Sequence, residues 1–238
     1  MPPEEIAHIL GQGDILAYEG MPSGSNYAFL VLISAGAERQ LLGVYKPQRG
    51  ERPLWDFPRG SLFRREHAAY VASTHLGWPN IPVTVIRDGP FGPGSVQLYI
   101  PTADDASLFS FGRRKREELA RIALFDLLVN NADRKAGHCL LGVDGRVWAI
   151  DHGLTFHVEP KLRTVLWDFC EQPIPKRLLY DLAKLREDGQ RRDRLRSQLS
   201  VDLAADEVEG FFRRLDRILS AGRYPRLDPQ RNVPWPLI

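Results

Sequence analysis

The chain has 238 residues, of which 43% are hydrophobic and 26% charged, and its formal net charge is +2. This is the balance of a globular protein with its own core, as one large domain or two small lobes, and it gives no indication of a nucleic-acid partner. No apolar run approaches the about 20 residues of a membrane span, and two cysteines cannot form a disulfide framework, which favours a reducing, cytoplasmic setting.

The first hundred residues predict mainly antiparallel strands, because short aromatic and β-branched runs alternate with polar turns. A helix is predicted over Leu62–Leu76, where Ser61 is the candidate cap and Gly77 ends the pattern. The predicted strands cover residues 15–18, 27–34, 41–46, 83–86 and 95–100.

After Pro101 the sequence becomes mainly helical. Apolar residues at three- and four-residue spacing predict a helix over 113–130, and further helices continue to about Ala221 before a proline-rich tail. Strands followed by helices indicate an α+β fold. We therefore expect an N-lobe at residues 1–100, with the sheet and the helix that follows it, and a C-lobe at residues 101–238.

A hairpin is predicted after the long helix. Asp144-Gly145 separates two apolar runs, 139–143 and 146–150, and Asp-Gly between such runs is typical of a two-residue type I′ turn. A two-residue loop fixes the register. That register places His138 opposite Asp151, at a separation of roughly 4.5–5.5 Å between Cβ atoms. Two potential metal ligands would thus be brought together.

The polar loop before this hairpin contains Asp133, and polar loops on a rigid scaffold often carry reactive side chains. Asp133 precedes His138 by five residues, the spacing at which the kinase catalytic loop has an Asp and a metal-binding Asn. The segment Asp151-His152-Gly153 likewise matches the Asp-Phe-Gly element that holds Mg²⁺ in kinases. Each pattern is short, and their order on one hairpin makes the combination more specific.

The first part of the chain supplies candidates for nucleotide binding. Ser23-Gly24-Ser25-Asn26 lies between two predicted strands and could cover phosphates with its backbone N–H groups. Lys46 ends a predicted strand, and Glu66 lies on the next helix. Kinases pair a phosphate-binding lysine with a glutamate in this arrangement.

In this order the motifs resemble the phosphatidylinositol 3-/4-kinase-like superfamily, most closely the type II phosphatidylinositol 4-kinases and a bacterial branch of the superfamily. The resemblance spans residues 23 to 154. The matching motifs are Ser23-Gly24-Ser25-Asn26-Tyr27, Val44-Tyr45-Lys46-Pro47, Arg65-Glu66-His67-Ala68-Ala69, Asn131-Ala132-Asp133-Arg134 and Ala149-Ile150-Asp151-His152-Gly153-Leu154.

The resemblance implies a two-lobed, protein-kinase-like fold that transfers the γ-phosphoryl group of ATP to a hydroxyl, with Mg²⁺ or Mn²⁺. By position, Lys46 would bind the α- and β-phosphates, Glu66 would orient Lys46, Asp133 would be the catalytic aspartate, and Asp151 would be the principal metal ligand. The nucleotide site would also include Ser23, Gly24, Ser25, Asn26, Tyr99 and Ile100, the last two in the hinge against adenine.

Two departures from the family leave alternatives open. His138 stands where the family usually has Asn, which affects the second metal position and keeps a nucleotide-binding pseudokinase in consideration. The cysteine-rich insert of the animal type II enzymes is absent, so the acceptor is open among proteins, lipid headgroups and small molecules. Transfer of AMP on the same fold is a further alternative.

We expect Asp126 to be a buried support for the catalytic loop, and the basic residues of 186–196 to be a solvated helix face.

Overall fold

The computed structural model describes residues 1–22, 26–36, 39–103 and 107–237. These residues form a five-stranded antiparallel sheet, a two-stranded hairpin and seven α-helices, which confirms the predicted α+β class. None of the helices in the described ranges is both long and apolar enough to cross a membrane.

The five-stranded sheet has the order β1-β2-β3-β5-β4. Its centre is β3, where Val44 pairs with Leu30 on one side and Gln97 on the other. This central position leads Lys46, near the end of β3, into the interior of the molecule. The strands are β1 Asp14–Gly20, β2 Phe29–Ser34, β3 Gln40–Pro47, β4 Thr84–Gly89 and β5 Gly92–Leu98.

A first helix, α1 (Pro3–Gln12), covers one face of the sheet and was not predicted from the sequence. Ile9 and Leu10 of α1 are buried in the core of the sheet. No side chain caps the start of α1. Its carboxyl end is held from β4 instead, where Arg87 Nη1 donates to the carbonyls of Leu10 (3.0 Å) and Gly13 (2.7 Å). A short helix stabilised by a distant arginine leaves little local signal.

The helix α2 (Leu62–Leu76) has the predicted bounds and ends at Gly77, whose φ of 77° is left-handed. Ser61 stands at the amino end, but its side chain makes no capping hydrogen bond. The carboxylate of Glu51 takes this role, accepting from the Phe63 N–H at 2.9 Å. Ser61 therefore stands at the predicted cap position, while a loop residue ten positions upstream supplies the side-chain bond to the first turn.

One side of α2 packs into the helical core rather than against the sheet alone, through Ala68, Ala69 and Ala72. At the middle of this core lies α4, where Leu124 and Phe125 are fully buried. The remaining helices are α3 Leu108–Phe111, α4 Arg116–Val129, α5 Lys176–Glu187, α6 Gly189–Leu199 and α7 Ala205–Ala221.

A buried arginine joins α2 to α7. Arg65 is only 1% exposed, donates to the Thr155 carbonyl at 2.6 Å, and forms an ion pair with Glu207 in the first turn of α7. Two residues further along α2, His67 Nδ1 lies 2.6 Å from Asp202 Oδ2. These contacts hold the helix that carries Glu66 against the helical part of the molecule.

The hairpin after α4 differs from the predicted one. Its strands are β6 Cys139–Leu141 and β7 Val147–Ala149, with Cys139 opposite Ala149. The loop is a turn closed by a Gly145 N–H to Gly142 carbonyl bond of 2.9 Å, and only Gly145 has a positive φ. A third loop residue shifts the ladder by one position, so His138 faces Ile150 instead of Asp151, and the predicted type I′ turn and register were wrong.

Candidate active site

The side chain of Lys46 reaches from the central strand to two carboxylates. Its ammonium forms an ion pair with Glu66 on α2 and lies 3.1 Å from Asp151 Oδ1, which follows β7. Desolvation would lower the pKa of Lys46, but Asp151 and Glu66 outweigh it and raise this pKa. Lys46 is therefore a fixed positive charge that joins the sheet, α2 and the hairpin.

Glu66 is nearly fully buried and uses both carboxylate oxygens. One faces Lys46 and the other accepts the His152 N–H at 2.9 Å. Burial raises the pKa of Glu66, although Lys46 opposes the shift. Because Glu66 contacts both Lys46 and the backbone after Asp151, it sets the position of one relative to the other.

Asp151 presents its carboxylate to the cleft, with 45% of the side chain exposed. Its φ of 58° is left-handed, a conformation that costs little for Asp compared with most residues. This turn brings Asp151 Oδ2 to 3.1 Å from His138 Nε2, although the two residues are not paired in the ladder. Desolvation would raise the pKa of Asp151, but Lys46 and then His138 hold it well below its usual range.

His138 is oriented by the loop that carries Asp133. Its Nδ1 lies 3.0 Å from the Asp133 carbonyl and 3.4 Å from the Lys135 backbone nitrogen, and its Nε2 faces Asp151. Burial lowers the pKa of His138 to about 4; Asp151 opposes this shift, and Arg134 and Lys46 add to it. Near neutral pH the imidazole is therefore uncharged, as a metal ligand must be.

Asp133 lies at the edge of the same cleft. Its N–H donates to the Asn131 side chain at 3.0 Å, and its carboxylate lies 3.1 Å from the Lys135 ammonium. Burial raises the pKa of Asp133, while Lys135 opposes the shift. A carboxylate in these surroundings can accept a proton from a hydroxyl group placed beside it.

Beneath this loop is a buried network around Arg134. Asp126 and Arg134 are both fully buried and paired at 2.8 Å, as expected for Asp126. The guanidinium also donates to the carbonyls of His138 (3.0 Å) and Ile150 (2.8 Å) and contacts His152 Nε2 at 2.8 Å. Arg134 thus ties the catalytic loop to both strands of the hairpin.

A cleft of about 2040 Å³ runs past all of these groups. Tyr99 and Ile100, predicted to contact adenine, line it, and the Tyr99 N–H donates to the Leu42 carbonyl at 2.9 Å. Apolar side chains of the sheet and the hairpin line the same part of the cleft: Val44, Leu98, Leu140 and Ile150.

The predicted phosphate loop is described only at Asn26. Ser23, Gly24 and Ser25 lie outside the described residues. The Asn26 side chain accepts the Arg52 N–H at 2.7 Å, and the neighbouring Tyr27 N–H donates to the Gly50 carbonyl at 3.0 Å. Both bonds fix the exit of this segment to the loop that follows β3.

The far part of the cleft is basic, which the sequence did not predict. Three arginines from consecutive turns of α7 reach it, and Arg163 lines it from the loop before α5. The sequence signal was a glycine, Gly210, in the middle of an arginine-rich helix. The three arginines are Arg213, Arg214 and Arg217.

Asp151 and His138 are the residues that could hold a metal ion. They offer one carboxylate oxygen and one neutral imidazole nitrogen, 3.1 Å apart. A carboxylate suits Mg²⁺ and Mn²⁺, and the imidazole makes Mn²⁺ the better fit of the two. No group of three His, Cys, Asp or Glu side chains suited to a metal occurs within the described ranges, so any ion here would complete its shell with phosphate oxygens or water.

Comparisons with known proteins give one sequence relative and several structural ones. No protein-family model matches the chain. Protein Rv2133c from Mycobacterium tuberculosis is 38% identical over 265 aligned residues, covering 96% of this chain and 94% of that protein.

Solved structures of kinases share the fold at low sequence identity. The structure of hydra Fam20 with sugar has a TM-score of 0.66 at 15% identity, covering 92% of this chain and 87% of that chain. The Golgi casein kinase with Mn/ADP bound has a TM-score of 0.58 at 17% identity, covering 92% and 74%. The Helicobacter pylori proinflammatory kinase CtkA has a TM-score of 0.53 at 12% identity, covering 90% and 94%.

These similarities confirm the predicted two-lobed, kinase-like fold, and at such identities they bear on the fold alone. The sequence relative indicates common ancestry, because the two chains match at 38% identity over nearly the full length of both. The chain belongs to the same family as Protein Rv2133c of Mycobacterium tuberculosis.

Proposed function

We propose that the protein is an ATP-dependent phosphotransferase that moves the γ-phosphoryl group to a hydroxyl of an acceptor. The observation that carries the proposal is the ammonium of Lys46, which contacts Glu66 on α2 and Asp151 after β7 at the same time. A lysine held in this way between a helix glutamate and a metal-binding aspartate is the arrangement that active kinases use.

In the proposed mechanism, positioning and charge neutralisation supply most of the catalysis. Lys46 would lie against the α- and β-phosphates of ATP, and Glu66 would keep it extended. Asp133 would orient the acceptor hydroxyl and take its proton as the oxygen attacks the γ-phosphorus. ADP would leave along the apolar part of the cleft that includes Tyr99 and Ile100.

A divalent cation, Mg²⁺ or Mn²⁺, would neutralise phosphate charge at this site. Asp151 would be the principal ligand, and His138 the second. The neutral imidazole and the exposed carboxylate are compatible with this role. The Golgi casein kinase, which shares the fold, has been solved with Mn and ADP, and this supports a nucleotide–metal site of the same general kind.

The proposal includes the division of the chain near Ile100, with residues 1–100 as the N-lobe and residues 101–238 as the C-lobe. It also keeps the relation to phosphatidylinositol 3-/4-kinases, which rests on the motifs at residues 23 to 154. The acceptor is not specified by that relation, because the lipid-modified insert of the type II enzymes has no counterpart in this sequence.

The test is incubation with ATP labelled at the α- or the γ-phosphate, in Mg²⁺ or Mn²⁺, with products analysed by mass spectrometry. We expect metal-dependent consumption of ATP and γ-label in the protein itself or in an added acceptor. Asp151→Asn should abolish it, whereas Asp88→Asn, exposed and outside the cleft lining, should not. Transfer of α-label would indicate AMP transfer instead, and absence of metal-dependent turnover across an acceptor panel would overturn the proposal.

A further inference from the structure

Two arginines of α7 lie close to a buried glycine of the same helix. Gly210 lies one turn before Arg213 and Arg214, and a Cβ atom on it would lie 3.2 Å from Arg214 Nη1 and 3.7 Å from Arg213 Nη2. A glycine inside a helix costs about 1 kcal/mol relative to alanine. Here it leaves the space in which two guanidinium groups approach each other at the cleft wall.

Arg214 is held rigidly but incompletely paired. Its Nε donates to the Leu128 carbonyl at 2.8 Å and its Nη1 to the His157 carbonyl at 3.2 Å. Its Nη2 is shut off from solvent and has no hydrogen-bond partner within the described part of the chain. A buried donor of a charged group without a partner is costly, and Arg214 thus keeps an unused hydrogen-bond donor beside the cleft that it lines.

The local charge is positive and uncompensated. Burial, and then the charges of Arg213 and Arg217, lowers the pKa of Arg214 to about 10. Glu207 opposes this shift, but its carboxylate is already paired with Arg65. Across the described ranges, no carboxylate lies within ion-pair distance of Arg213, Arg214 or Arg217. Like charges that converge in a cleft raise the local concentration of anions and favour their binding.

This basic site adjoins the proposed catalytic loop. The His157 carbonyl that accepts from Arg214 also accepts from Asn130 Nδ2 at 2.8 Å, and Asn130 ends α4 three residues before Asp133. The Arg163 N–H donates to the Asn131 carbonyl at 3.0 Å. One continuous cleft includes both Asp133 and the arginines.

We infer that Arg213, Arg214 and Arg217 form a subsite for an anionic group of the acceptor, such as a phosphate carried at a distance from the hydroxyl that reacts. The inference rests on the proposed function in one respect, that the bound anion is part of a phosphoryl acceptor. Planar guanidinium groups bind phosphate oxygens through paired hydrogen bonds. The group can belong to a soluble phosphorylated polyol or sugar, or to a lipid headgroup.

Binding of inositol hexakisphosphate, measured by titration calorimetry, tests the subsite. The protein carries Lys46→Met, so that the phosphate-binding lysine of the nucleotide site is absent. We expect saturable binding that weakens at least about tenfold in Arg213→Gln/Arg217→Gln, because the variant loses charge-assisted hydrogen bonds to phosphate. Both arginines are exposed, so this variant should fold.

The matched control is Arg192→Gln/Arg194→Gln on α6, which removes the same charge outside the cleft. Its affinity should stay within about twofold of the parent, since distant surface charges are screened. An equal loss in both double variants, no loss in either, or no binding at all would overturn the subsite. A second variant, Gly210→Ala, should bind the probe more weakly while its melting temperature is unchanged or higher, and unaltered binding there would contradict the contact with Arg214.

Vesicles of phosphatidylcholine with phosphatidylinositol phosphate distinguish the source of the anion. Sedimentation that depends on Arg213 and Arg217 would assign the subsite to a lipid headgroup, and calorimetric binding without sedimentation would assign it to a soluble acceptor. Because binding of the probe is measured in Lys46→Met and without ATP, the result tests the subsite independently of ATP turnover. Binding without any metal-dependent ATP turnover would retain the anion site and remove the phosphotransferase.

Discussion

Two networks, one around Arg134 and one around Lys46, differ in how completely the cation at the centre of each is paired. Around Arg134, which is 0% exposed, all five guanidinium N–H groups have partners: two oxygens of Asp126, two backbone carbonyls and a histidine nitrogen. Around Lys46, three ammonium donors meet two carboxylates, and Asp151 remains 45% exposed.

This difference distinguishes a structural role from a ligand-binding role. A fully paired buried charge has nothing left with which to bind a ligand, and its removal leaves its partner buried and unpaired. A partly paired charge at the wall of a cleft keeps capacity for phosphate or metal. Under the proposed function, Arg134 fixes the loop of Asp133 and the hairpin in place, while Lys46, Asp151 and Asp133 would bind the reacting groups.

The largest effect should follow from removing Arg134 from its buried network. Arg134→Met would leave Asp126 charged and buried without its partner, and we expect the free energy of unfolding to fall by about 3–5 kcal/mol. Denaturant unfolding followed by circular dichroism measures it, with the exposed Arg194→Met as the control. A loss below about 1 kcal/mol would contradict the structural role and remove the contrast between the two networks.

The next largest effect should be a loss of ATP turnover in a variant that still folds. Asp133→Ala should lower metal-dependent ATP turnover by about 10²–10⁴-fold, the contribution of a positioned base, while thermal stabilisation by nucleotide is retained. Asp193→Ala on α6 serves as the control for removing a surface acid. If Asp133→Ala also lost nucleotide binding, Asp133 would belong to the nucleotide site and not to the acceptor side.

Much of the first lobe and of the paired site was predictable from local signals. Leu62–Leu76 has a helical pattern that ends at Gly77, and the structure has the same bounds. Lys46, Glu66 and Asp151, predicted as parts of one kinase-like site, lie in mutual contact. Lys46 and Glu66 lie on a strand and a helix whose ends are marked in the sequence, and Asp151 follows a short strand, so the sequence order of these elements indicated which residues would meet.

The contact between His138 and Asp151 shows the limit of such reasoning. The predicted register was wrong by one residue, yet the two side chains meet, because the left-handed φ of Asp151 reverses the direction of its side chain. A sequence pattern does not predict that a single residue such as Asp151 adopts a positive φ. It also could not show the arginines of α7 as a site, since the cleft wall that they share with Arg163 forms only when the chain folds.

A smaller effect is expected in nucleotide affinity. Lys46→Met removes the ammonium that faces the cleft, and we expect nucleotide binding to weaken by about 10- to 100-fold, as for the loss of one or two charge-assisted hydrogen bonds. Thermal shift titration with ADP and Mn²⁺ measures it. Lys176→Met at the exposed start of α5 is the control. If nucleotide stabilised the variant as much as the unaltered protein, the network of Lys46, Glu66 and Asp151 would not bind phosphate.

The smallest effect should be a change in metal preference. His138 places a neutral nitrogen beside Asp151, and Mg²⁺ takes hard oxygen ligands and rarely imidazole, while Mn²⁺ tolerates nitrogen more readily. His138→Asn would supply an amide oxygen at this position, and we expect the ratio of Mg²⁺- to Mn²⁺-supported turnover to rise several-fold, about 1 kcal/mol or less in differential binding. The fold should be little affected, since Arg134 bonds the His138 backbone carbonyl and not its ring.

Turnover measured with each metal, in the unaltered protein, in His138→Asn and in the control His8→Asn on the exposed side of α1, separates the possibilities. A raised ratio only in His138→Asn would place the imidazole among the metal ligands or directly beside them. An unchanged ratio would mean that Asp151 alone selects the ion. The network around Lys46 would then be a lysine with two carboxylates, and the imidazole held by the Asp133 carbonyl would act by fixing the catalytic loop against the hairpin.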